Sequence, residues 1–289
     1  MTVQNVAVIG SGLMGRGIAH VAALGGFRTT MVDVSQSILQ AALNNIRSEM
    51  EKGVSLGKLA AEQKDQALAR LTVETDMEKA ARDADLVIEA VPEDMKLKTE
   101  TFSRLDQAAP AGTILASNTS SLSITEMAAV TKRPRRFLGM HFFNPVHKMK
   151  LLEIVVGLET APETVQVAEE VGRQMGKETV VIRESPGFIT SRINAMIGNE
   201  AFYMLQEGIA TAADIDKAVK LGLNHPMGPF EMADLVGLDT RLHVLEYLHQ
   251  TLGEKFRPAP LMVQYVKAGR LGRKAGRGVY EYPPAEKKS

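Results

Sequence analysis

His141 and Glu153, twelve residues apart, are the pair in this sequence best suited to move a proton. His141 directly follows the run Phe137–Met140 and opens His-Phe-Phe-Asn-Pro at 141–145. An imidazole titrates near neutral pH, which makes it the natural general base. Taken alone, a histidine there is either such a base or a satisfied structural group. Glu153 tips the balance, because it interrupts an otherwise apolar run, Leu-Leu-Glu-Ile-Val-Val at 151–156. A carboxylate inside an apolar strand is costly unless paired. An imidazole would satisfy it, and the carboxylate would fix the tautomer and stabilise the imidazolium. Of the other histidines, His20 reads as structural or cofactor-adjacent, His225 lies in a loop, and His243 and His249 read as surface or core-edge groups.

A second group of residues is built to meet phosphate. Gly10-Ser11-Gly12-Leu13-Met14-Gly15 is a G-x-G-x-x-G loop that follows an apolar run and opens a helical one. In that context the first glycine permits the turn, the second admits a pyrophosphate and the third lets helix and strand pack closely. The helix N-terminus then offers free N–H groups and a positive dipole end. Asp33 lies 23 residues after Gly10, at the end of the second β-branched run. An acid there accepts hydrogen bonds from an adenosine ribose and repels a 2′-phosphate, so NAD is expected over NADP. Ser117-Asn118-Thr119-Ser120-Ser121 follows another apolar run. Its polar groups either hold a substrate oxygen or the cofactor, or cap the next helix.

These residues need a frame that brings loop ends together. Strand runs at 4–9, 29–32, 71–73, 85–90, 113–116, 137–140, 151–156 and 179–182 alternate with helical patterns up to about residue 185. Helical spacing over 35–52 is expected to stop at Gly53 and Gly57, and a charged helical segment follows over 58–70. Alternation of this kind predicts an α/β fold of the Rossmann type, a doubly wound and mostly parallel sheet with helices on both faces. Ligands in such sheets sit at the carboxyl ends of the strands. Beyond 185 the pattern is helical, over 187–206, 211–221, 228–250 with a break at Gly237, and 259–268, with one strand candidate at 278–282. Two domains are expected, 1–185 with a helical arm at about 35–70, and an all-helical 186–289 with Pro186-Gly187 as the hinge. The tail from Pro283 to Ser289 reads as disordered.

Composition narrows the classes. The 289 residues carry 34 Lys+Arg and 34 Asp+Glu, a net charge of zero, which argues against binding nucleic acid or an anionic membrane by bulk charge. The absence of Cys excludes disulfides, thiolate metal sites and Cys nucleophiles. No metal is expected. No apolar run reaches the length of a membrane span, and the first residues do not read as a cleavable leader, so a cytoplasmic protein is expected.

Taken in order, six motifs resemble the L-3-hydroxyacyl-CoA dehydrogenase family, and by size its bacterial members. They are Gly-Ser-Gly-Leu-Met-Gly at 10–15, Ser-Asn-Thr-Ser-Ser-Leu at 117–122, His-Phe-Phe-Asn-Pro at 141–145, Pro-Gly-Phe-Ile at 186–189, Met-Gly-Pro-Phe-Glu at 227–231 and Gly-Arg-Lys-Ala-Gly-Arg-Gly-Val-Tyr-Glu-Tyr at 272–282. The resemblance covers nearly the whole chain. It implies an NAD-dependent, reversible oxidation of an L-3-hydroxyacyl-CoA, short-chain and so 3-hydroxybutyryl-CoA, by a homodimer. It implies His141 as the base, Glu153 as its orienting partner, and Ser120 as a serine touching substrate and cofactor. Glu93, Lys98, Asn144 and Lys274 match family positions that contact NAD. The arm resembles the part that meets CoA, with Ser48 and Lys52 as its candidates, and local cations such as Arg47, Lys52 and Lys58 to serve the CoA phosphates. One position departs. Where the family often has an Asn that binds the substrate oxygen, this chain has Ser191, with Asn194 near the same helix face. A changed rate or chain-length preference is expected. The alternatives are a dehydrogenase of a non-CoA hydroxy acid or sugar acid, and a non-catalytic relative.

Overall fold

The computed structural model describes residues 2–282. The expectation for the tail from Pro283 onward lies outside the described residues. The chain divides into two compact units, Met1–Ser185 and Pro186–Ser289.

The first unit alternates strand and helix throughout. In order it comprises β1 (Asn5–Ile9), α1 (Leu13–Leu24), β2 (Arg28–Val32), α2 (Gln36–Ser55), α3 (Ala61–Ala69), β3 (Leu71–Glu74), α4 (Met77–Arg82) and β4 (Leu86–Glu89). It continues with α5 (Met95–Ala108), β5 (Ile114–Ser117), α6 (Ile124–Ala129), β6 (Phe137–Phe142), β7 (Leu151–Val156), α7 (Pro162–Gln174) and β8 (Glu178–Arg183). The eight strands form one sheet in the order β3-β2-β1-β4-β5-β6-β7-β8. All neighbours pair parallel except β6 and β7, which are antiparallel. Six strands thus direct their carboxyl ends to one edge, and that edge carries the glycine loop, Asp33 and the 117–121 segment.

Local chemistry explains the element ends. The side chains of Asp76, Asp94 and Ser123 accept from Lys79, Leu97 and Glu126 N–H and so cap α4, α5 and α6. Burial drives the assembly: Val6, Val8, Ile18, Met31, Leu39 and Ile46 meet in one core between sheet and helices. Two expectations on extent are corrected. α2 does not stop at Gly53 but runs through it to Ser55. One mid-helix glycine costs only about 1 kcal/mol, and the turn comes at Gly57, where φ is +66°. β6 does not end at Met140 but extends to Phe142, so His141 lies inside the strand rather than after it.

The second unit contains α8 (Thr190–Gln206), α9 (Ala212–Gly222), α10 (Pro229–Val236), α11 (Leu238–Leu252) and α12 (Pro260–Lys267). α10 and α11 part at Gly237, whose φ of +107° favours glycine. Phe202, Phe230, Leu238, Leu245, Leu248 and Phe256 form its core, with the Phe202 and Phe230 rings edge to face at 5.1 Å. The strand expected at 278–282 does not form. Only isolated bridges occur there, Gly272 to Arg277 and Arg277 to Glu281. The fully buried Asp234 carboxylate takes the Val279 and Tyr280 N–H groups, both at 2.9 Å, in place of a strand partner.

Candidate active site

The glycine loop is shaped by two contacts and one opening. Gly10 has φ +96°, and a Cβ there would lie 2.7 Å from the Ala90 carbonyl oxygen. A Cβ on Gly15 would lie 1.8 Å from the Gly10 carbonyl oxygen. These two glycines are required by the protein itself. Gly12 is different: nothing lies within 4 Å of the position its Cβ would take. It is also the N-cap of α1 and brings no side chain to the free N–H groups there. The open face therefore fits a pyrophosphate, with Gly12, Leu13 and Met14 at the helix start to hold it. Asp33 stands just beyond β2. Its Oδ2 accepts from Ser11 N–H and Ser11 Oγ, each at 2.7 Å, and its Oδ1 from Val34 N–H at 2.8 Å. The acid thus also ties the loop to β2, a second task that spacing alone did not suggest. Its remaining lone pairs suit a ribose, and this donor and acceptor set fits NAD.

His141 and Glu153 are register partners across the antiparallel β6–β7 pair. Nδ1 of His141 and Oε2 of Glu153 are 2.7 Å apart. The residues are 6% and 1% exposed, so the bond is shielded from water. With Nδ1 facing the carboxylate, Nε2 is the ring nitrogen directed away from Glu153. The His141 ring packs against Phe143 at 4.4 Å between centroids.

The polar segment after β5 is stitched to its neighbours. Glu93 accepts from Ser120 N–H at 2.9 Å, Ser120 Oγ at 3.2 Å and Thr119 Oγ1 at 2.5 Å. Asn118 Oδ1 accepts from Phe142 N–H at 2.9 Å, which fixes the end of β6 beside His141. Lys98 is 1% exposed, and its ammonium bonds the buried Glu89 at 2.6 Å and lies 3.4 Å from Glu93. Glu89 also accepts from Ser117 Oγ at 2.6 Å and Val91 N–H at 2.7 Å. Burial pushes the Glu89 carboxyl up, and Lys98 opposes that rise. Lys98 therefore anchors the loop bearing Glu93. Glu89 was not singled out from sequence, and Asn118 only as one of the polar residues of 117–121. The signal available was their position at the ends of β4 and β5.

The arm borders a cavity of about 630 Å³. Arg16, Lys52, Lys58 and Lys148 line it, together with Asn144. Ser48 is exposed on α2 but is not among the lining residues, and Arg47 is not either. A larger cavity of about 900 Å³ lies near Val3, Phe27, Ile114 and Arg135, at the opposite, amino-terminal edge of the parallel strands. Fold logic puts ligands at the other edge. In the second unit, Ser191 and Asn194 are both on α8. The Asn194 amide, oriented with its oxygen toward Arg241, accepts from that guanidinium at 2.9 and 3.3 Å. Burial pushes the Arg241 guanidinium down to about 10. Lys274 pairs with Asp239 at 2.6 Å.

No helix among the described residues is long and apolar enough to cross a membrane. Comparison with known proteins gives a consistent result. Residues 5–185 match the 3-hydroxyacyl-CoA dehydrogenase NAD binding domain, and residues 187–282 match the 3-hydroxyacyl-CoA dehydrogenase C-terminal domain. A Bacillus subtilis (strain 168) protein named "Probable 3-hydroxybutyryl-CoA dehydrogenase" is 46% identical over 283 residues, 98% of each chain. A "3-hydroxybutyryl-CoA dehydrogenase" of Bradyrhizobium diazoefficiens is 44% identical, over 98% of this chain and 97% of that one. The crystal structure of an (S)-3-hydroxybutyryl-CoA dehydrogenase from Ralstonia eutropha superposes with a TM-score of 0.95 at 43% identity, over 98% of this chain and 100% of that one.

Proposed function

Because the chain belongs to the 3-hydroxyacyl-CoA dehydrogenase family, we propose that it oxidises an L-3-hydroxyacyl-CoA reversibly to the 3-ketoacyl-CoA, with 3-hydroxybutyryl-CoA as its substrate. NAD, when bound, supplies the acceptor for the hydride that leaves C3. His141 takes the proton of the 3-hydroxyl on Nε2, and in reduction returns it. Glu153 keeps Nδ1 protonated and carries the opposite charge to the imidazolium that forms. Ser120, held by Glu93, meets the substrate oxygen and the cofactor. The observation that carries this reading is the shielded 2.7 Å His141–Glu153 bond on the sheet that also bears the open glycine loop.

The four cations of the arm cavity support a CoA thioester over a free hydroxy acid, since the CoA phosphates need local positive charge in a neutral protein. A homodimer belongs to the same proposal. Exposed apolar residues of the second unit support it, among them Ile193 at 55%, Ile209 at 63% and Leu221 at 76% exposed. A cytoplasmic location is part of the same proposal. The test is loss of NADH absorbance on adding acetoacetyl-CoA, beside free acetoacetate and beside NADPH. Turnover with NADH and the thioester alone supports all parts of the chemistry. Turnover with free acetoacetate at an equal rate would replace the CoA reading with that of a hydroxy-acid dehydrogenase.

A further inference from the structure

Among the described residues, one group of three side chains outside the proton-transfer pair has the composition of a metal shell: His20 on α1, Glu49 on α2, and His147 in the segment after β6. Their ligand atoms all lie within 4.8 Å of one another. Both Nδ1 atoms approach the same carboxylate oxygen, Glu49 Oε2, at 3.4 Å from His20 and 3.5 Å from His147. These distances are long for N–H···O bonds, which cluster at about 2.7–3.2 Å. They are near the edge of a tetrahedron around zinc, about 3.3–3.4 Å for metal–ligand bonds of about 2.0–2.1 Å. All three side chains line the arm cavity, so a fourth position would open into it.

We propose that His20, Glu49 and His147 form a site for a divalent transition metal of the zinc class, fastening α1, the arm helix α2 and the segment after β6 to one ion. Two neutral imidazoles and one carboxylate are a donor set that zinc accepts with an open position. Burial pushes both imidazoles down, and Glu49 opposes that fall. The rings now stack at 5.4 Å with planes 14° apart. Sharing an ion asks each to turn about χ2, a broad and inexpensive torsion for histidine. Several cations act against the ion, Arg16, Lys52 and Lys58 from elsewhere on the cavity wall and two others closer by. Lys148 lies beside His147, and Lys177 is near both rings. Lys177 is held back by the carbonyl oxygens of Val146 and Met149, and Glu49 supplies the compensating charge at the site itself.

The test is titration of the chelator-stripped full chain with ZnCl2 by calorimetry, with Co2+ absorption as a second readout. The expected result is one ion per chain, with a dissociation constant of about 1 µM or tighter. Visible Co2+ bands typical of a four-coordinate site should accompany it, and the melting temperature should rise on loading. Loss of a group outside a metal shell already costs about 10–100-fold in affinity, so His147→Ala and Glu49→Gln should each cost at least about 100-fold. His147 is partly exposed and Glu49→Gln is close in shape, so both variants should fold, which the melting curve of the metal-free proteins checks. Uptake weaker than about 10 µM in the wild type overturns the proposal. So does uptake that His147→Ala and Glu49→Gln leave unchanged, because the ion would then sit elsewhere.

Discussion

Glu153→Gln keeps the shape of the side chain and removes its charge. The residue is 1% exposed and bonds His141 at 2.7 Å, so it is positioned to act on the ring rather than on substrate. A glutamine carbonyl can still accept from Nδ1, which leaves Nε2 as the proton acceptor. What is lost is the attraction between carboxylate and imidazolium, and that attraction exists only once the proton has moved. Two unit charges about 4 Å apart interact by about 4 kcal/mol at an effective dielectric of 20. At about 1.4 kcal/mol per decade of rate, this predicts a fall in kcat of about 10³-fold. The KM for the acyl-CoA should change by no more than about threefold, since uniform binding is untouched. Stability should change little, because removing a charge from a buried position also removes its desolvation cost. The assay is steady-state reduction of acetoacetyl-CoA by NADH, with thermal melts of the same samples. A variant that folds, binds NADH and retains kcat within about tenfold of wild type would refute the reasoning. It would make Glu153 a structural partner only.

Other perturbations address the remaining parts. Gly12→Ala should leave the melting temperature of the free protein nearly unchanged, at a cost within about 1 kcal/mol, because its Cβ meets nothing. It should still weaken NADH binding by at least about tenfold, measured by fluorescence titration; unchanged binding would remove the pyrophosphate from that face. Gly15→Ala should instead destabilise the free protein by about 1–3 kcal/mol or more, since its Cβ would overlap the Gly10 carbonyl; an unaltered urea midpoint would contradict the packing described. Asp33→Ser should raise the NADPH-to-NADH ratio of kcat/KM by about tenfold or more, through loss of the charge facing a 2′-phosphate. An unchanged ratio would leave Asp33 as a loop anchor for Ser11 alone. Lys98→Met should cost about 3–5 kcal/mol at neutral pH by stranding Glu89. Without the ammonium, the folded-state pKa of Glu89 rises further above its ordinary 4.5, so the variant loses stability as pH rises through that value. Urea melts should therefore show a smaller deficit near pH 5 than near pH 8. A deficit independent of pH would mean that lost packing, not charge, is responsible.

The parts legible in the sequence were those with a local signature. The glycine loop declared itself because a strand runs into it and a helix out of it. Glu153 stood out as a charge in an apolar strand, and pairing it with His141 needed only the cost of burying a carboxylate. Both halves of the topology followed from where alternation stops. What stayed hidden depends on partners far away in sequence. Nothing around Lys98 signals that it is buried against Glu89. The Gly278–Tyr282 segment has strand-like residues, but its N–H groups find the Asp234 carboxylate, more than forty residues upstream. His20 looks like one polar residue on the first helix until the fold sets Glu49 and His147 beside it.

In the β6–β7 pair, the partner opposite a given residue is set by which face each strand must bury, together with the geometry of the connection. Residues 143–150 carry none of the ladder pairs that set His141 opposite Glu153. A one-residue insertion inside either strand breaks those pairs: side chains beyond it swap faces of the sheet, and the imidazole and carboxylate part. The register of the pair is thereby held within the strands, apart from the segment beside them, part of which borders the basic cavity. Under selection, what the cavity admits can drift while the proton-transfer pair is inherited intact, so that two traits on adjoining stretches of one chain vary independently.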